Sequence, residues 1–92
     1  MADLTEEEVL IVRVATATCL CSRLAPAETD AADVELYVGE LLRLYALKPG
    51  AVLAPQADSP DDLVSAIGFC AEQLAATFPA YAAKLRGAVP GN

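Results

Sequence analysis

Three cysteines, thirteen acidic side chains and no histidine make up most of the reactive chemistry of this sequence. Without histidine, the Ser–His and Cys–His pairs that activate a nucleophile cannot be assembled. Cys19 and Cys21 are two residues apart. On a helix they point about 200° apart and cannot grip one metal ion. With Cys70 they make an odd count, which does not read as a disulfide framework. All three read instead as small apolar side chains in a reducing compartment. Glu6, Glu7 and Glu8 splay around a helix and chelate poorly. Asp58, Asp61 and Asp62 lie closer to a loop, where weak binding of a divalent ion is the alternative, but their place at the start of a helix explains them without a metal. The five glycines are scattered and form no phosphate-binding loop. Glu35, Glu40 and Glu72 read as solvated carboxylates. Tyr37, Tyr45 and Tyr81 read as core-edge rings with wet hydroxyls. The expectation is a protein that is not an enzyme, with no catalytic, cofactor-binding or metal-ligating residue.

The elements that would carry these residues are helices. Thr5 and Glu8 have the spacing of a capping box, and Leu4 and Val9 that of a hydrophobic staple. A first helix is therefore predicted over Glu6–Leu24, stopped by Ala25-Pro26. Its residues Val9 to Val12, Val14, Ala15, Ala17, Cys19 to Cys21 and Leu24 leave almost no polar side. A helix apolar nearly all round must be covered on most faces. It is expected at the centre of the fold, packed by the second and third helices. The second helix starts at Thr29 or Asp30 and runs to about Lys48, where Pro49-Gly50 stops it. Val34, Tyr37, Val38, Leu41, Leu42, Leu44 and Tyr45 form its broad apolar face. Leu36 and Leu47 line up three turns apart on its polar side. Gly50–Asp58 reads as a loop, with Val52 and Leu53 able to pin it to the core.

Ser59-Pro60-Asp61-Asp62 predicts the third helix, with Ser59 as cap and Pro60 at the first helical position. Leu63, Ile67, Cys70, Ala71, Leu74 and Phe78 form its buried stripe, while Ser65, Glu72 and Gln73 face away. Gly68, Ala75 and Ala76 give a small-residue side open to a close helix approach. A break at Thr77–Phe78 precedes a short helix over Pro79–Arg86, with Tyr81, Ala82 and Leu85 facing inward and Gly87 as its C-cap. The tail from about residue 88 to 92 should fray. The fold class is all-α: one domain over residues 1–92, a small helical bundle of three long helices plus a short C-terminal helix.

Composition narrows the function classes. A 92-residue chain buries a modest fraction of its surface, yet 55% of its residues are apolar. A net charge of −7 repels phosphate, which argues against nucleic acid and anionic membrane surfaces. Arg13 and Arg23 interrupt the apolar run, which is also short for a membrane span. No basic region precedes it, so a signal peptide does not fit, and a cytoplasmic location is expected. The apolar surplus points to a protein–protein interaction module, acting as a homo-oligomer or as a small accessory subunit of a larger complex. Ile11, Val14, Leu36, Leu47 and Phe69 are the candidate interface residues. The alternatives are a helical protein with an apolar ligand pocket rimmed by the tyrosines, and an acidic mimic of nucleic acid.

Overall fold

A computed structural model describes residues 4–53 and 61–89. Among these residues the chain is all-helical: α1 (Glu6–Leu24), α2 (Ala31–Leu47), α3 (Leu63–Leu74) and α4 (Pro79–Ala88), with a 3₁₀ turn over Pro26–Glu28 between α1 and α2. α1 begins as its sequence dictates. The Thr5 hydroxyl accepts from the Glu8 N–H at 3.2 Å, and a Glu8 carboxylate oxygen accepts from the Thr5 N–H at 2.9 Å. The same oxygen takes a 2.7 Å ion pair from Lys48 at the end of α2. One carboxylate thus satisfies an orphan N–H of α1 and ties it to its neighbour. Asp30 caps α2 by accepting from the Ala32 N–H at 2.9 Å.

α1 is held on one side by α2 and α3, and α4 docks on α3 and α2. The core lies between them. Its largest sealed side chains are Leu41, Leu44, Leu63, Ile67, Leu74 and Leu85, with Val12 and Val34. Each such side chain contributes about 1.5–3 kcal/mol of burial. Leu4 and Val9 pack against this core from the start of α1.

Several expectations are corrected. α1 is not wrapped on most faces. Val12, Ala15, Cys19 and Ser22 are buried, whereas Leu10, Ala17, Leu20, Cys21 and Leu24 are exposed. Two neighbouring helices cover one side, and α4 is placed against α3 and α2 instead. α3 starts at Leu63, capped by Asp62, whose carboxylate accepts from the Ser65 N–H at 2.7 Å. Backbone pairing delays the start: Leu53 N–H donates to Asp61 C=O and Leu63 N–H to Ala51 C=O. Asp61 and Asp62 therefore precede the helix. Ser59 and Pro60, like Pro55 and Asp58, lie outside the described residues. Ala51 and Leu53 are buried, while Val52 points outward.

Gln73 is buried rather than facing away, because Arg23 of α1 reaches its side-chain oxygen at 3.2 Å. α4 runs through Gly87 to Ala88, and Val89 is buried against the core, so neither residue belongs to a frayed tail. Residues 90–92 lie outside the described residues. No other group crowds the position a Cβ would take at Gly68, so the small-residue side of α3 receives no close helix here.

Candidate interaction surface

The buried residues of α1 recur at Val12, Ala15, Cys19 and Ser22. Ala17 lies two positions from both Ala15 and Cys19, about 200° round the helix. The exposed flank is therefore the far side of α1. Along it stand Leu10, Arg13, Ala17, Leu20 and Leu24, spaced three, four, three and four residues apart. That alternation is the one by which a helix presents a continuous seam to another helix. Leu10 is 60% exposed, Leu20 38% and Leu24 72%. From Leu10 to Leu24 the seam runs about 21 Å. Arg13 interrupts it, with its Nε covered.

One edge of this flank drops into a groove of about 270 Å³ between α1 and the start of α2. Val14, Ala17, Thr18 and Cys21 form its α1 side, and Glu28, Thr29, Asp30 and Asp33 its α2 side. Pro26 builds this wall by ending α1 and turning the chain back. Among the described residues no lysine or arginine lies within ion-pair distance of Glu28, Asp30 or Asp33. Two of the acids have local work: Asp30 caps α2, and Asp33 sits in its first turn, where a negative charge suits the dipole. Glu28 ends the 3₁₀ turn, outside α2, and makes no ion pair among the described residues.

The other sequence-predicted residues scatter. Ile11 and Phe69 are half-buried and pack against the core, on α1 and α3 respectively. Val14 is half-buried and lines the groove. Leu36 and Leu47 are 56% and 64% exposed on the outside of α2. The five do not form one surface. Leu10, Leu20 and Leu24 were not singled out from sequence, although their spacing was readable. The acidic wall was not readable, since it arises only when Glu28 and Asp33 are folded back beside Cys21.

The cysteines divide by the same geometry. Cys19 and Cys70 are buried and Cys21 is exposed. The neighbouring Cys19 thiol, and then burial, push the Cys70 thiol well above its usual range, so it stays protonated. Among the described residues no group of three potential ligands gathers for a metal, and no helix is long and apolar enough to cross a membrane. Two further grooves, of about 480 and 510 Å³, lie along α4 and between α3 and α4. Tyr37, Tyr45 and Tyr81 line none of these three grooves. No protein-family model matches the chain, and no match is found among curated proteins or solved structures.

Proposed function

We propose that the protein is a small docking subunit that holds another protein against the outer flank of α1. One observation carries this reading. The side of α1 turned away from its own core is lined by leucines at the spacing of a helix–helix seam. Scattered surface leucines are ordinary; here three share one regular line on a single helix. Among the described residues Leu10, Leu20 and Leu24 share this edge of α1, while the other exposed large apolar side chains, Leu36, Leu47, Val52 and Val64, lie elsewhere.

The test is recovery of partners from the native host with the full chain as bait. Wild type is compared with Leu10→Gln/Leu24→Gln and with Leu36→Gln/Leu47→Gln. A protein retained by wild type and by the α2 variant, but lost from the α1 variant, supports the reading. A partner retained equally by all three overturns it. Sedimentation of the purified chain covers the self-associating case: a stable oligomer that the α1 variant leaves intact also overturns it.

A further inference from the structure

The groove beside that flank narrows the class of partner, and this step rests on the docking reading above. We infer that the occupant of the α1–α2 groove is an amphipathic helix carrying lysine or arginine beside its apolar stripe. The floor of Val14, Ala17 and Cys21 takes apolar side chains, and the wall presents Glu28, Asp30 and Asp33, none of them ion-paired among the described residues. Helix capping accounts for Asp30 and the α2 dipole for Asp33; Glu28 belongs to the 3₁₀ turn, caps neither α1 nor α2, and adds to the field across the groove. The whole chain carries a net −7, so long-range attraction favours the same sign of partner. A second copy is the poorer fit. Seated groove to groove, it would face three carboxylates with three more from its own wall, and like charges across an interface oppose association.

Cys21 reports on the groove directly, being the exposed cysteine of the three. The probe is a synthetic Leu/Lys helix of about 16 residues, long enough for the 21 Å seam. A Leu/Glu peptide with the same leucine pattern is its control. Affinity is read by fluorescence anisotropy, and Cys21 protection by its rate of iodoacetamide alkylation. The Leu/Lys peptide should bind and shield Cys21, and the Leu/Glu peptide should not. Glu28→Gln/Asp33→Asn should weaken binding about fivefold, as expected for two exposed ion pairs. Glu35→Gln/Glu72→Gln removes the same charge elsewhere and should change it less than about twofold. Equal weakening by both variants, shielding by both peptides, or shielding of Cys21 by rising concentration of the chain alone overturns the inference. Failure of the Leu/Lys peptide to shield Cys21 also overturns it. In that case a partner still lost from Leu10→Gln/Leu24→Gln leaves the docking reading standing.

Discussion

Replacing Leu10 and Leu24 with glutamine should leave the fold standing. Leu10 is 60% exposed and Leu24 72%, so the two together have about two-thirds of one leucine's surface covered. Losing that cover costs at most about 1–2 kcal/mol, and the glutamine methylenes retain part of it, leaving about 1 kcal/mol. Leucine and glutamine have similar helix propensities, so the backbone adds little. For a domain of this size 1 kcal/mol moves Tm by about 4–8 °C. Leu41→Ala provides the scale, since Leu41 is fully buried. It should cost about 2–5 kcal/mol, and so at least about 8 °C. The assay is thermal unfolding followed by circular dichroism at two protein concentrations, because an oligomer would make Tm concentration-dependent. If the double glutamine variant falls as far as Leu41→Ala in dilute solution, the α1 flank is not free in the single chain and the docking argument fails.

Three further outcomes follow from the packing. Ser22 is buried, donates to the Cys19 carbonyl at 2.7 Å and accepts from the Thr77 hydroxyl at 3.2 Å; Ser22→Ala should cost about 1 kcal/mol in denaturant unfolding. Asp62→Ala should cost about 1 kcal/mol in the same measurement, because it removes the cap of α3. The Lys48 ammonium, followed by the Thr5 N–H, holds the Glu8 carboxyl below its ordinary 4.5. A depressed folded pKa contributes stability that is present above the unfolded value and lost as pH falls through the folded one. Glu8→Gln should therefore be less stable than wild type at neutral pH and approach it in acid; a stability gap that stays constant from pH 7 to 3 would contradict this.

What the sequence revealed was local. Thr5 with Glu8, Pro26, Pro49-Gly50 and Pro79 each act within one turn of the chain, and α1, α2 and the α3–α4 break stand where those residues place them. What it concealed depended on partners far away in sequence. Ser59-Pro60 reads as the cap and first residue of α3, whereas backbone pairing of Asp61 and Leu63 with Leu53 and Ala51 leaves Asp62 as the cap. Gln73 reads as a surface residue until Arg23 arrives from α1 to satisfy it. Gly87 reads as a stop, but its φ is not left-handed and the helix passes through it. The same holds for the surface. The leucine line of α1 was present in its spacing, but which side of an almost wholly apolar helix would stay uncovered depends on where α2 and α3 settle.

The bonds joining Leu53 to Asp61 and Ala51 to Leu63 have a practical meaning. They fasten the two ends of the intervening stretch to each other and to buried Ala51, Leu53 and Leu63. In practice the first turn of α3 is registered against the residues that follow α2, so a substitution that disturbs Ala51 or Leu53 reaches both helices.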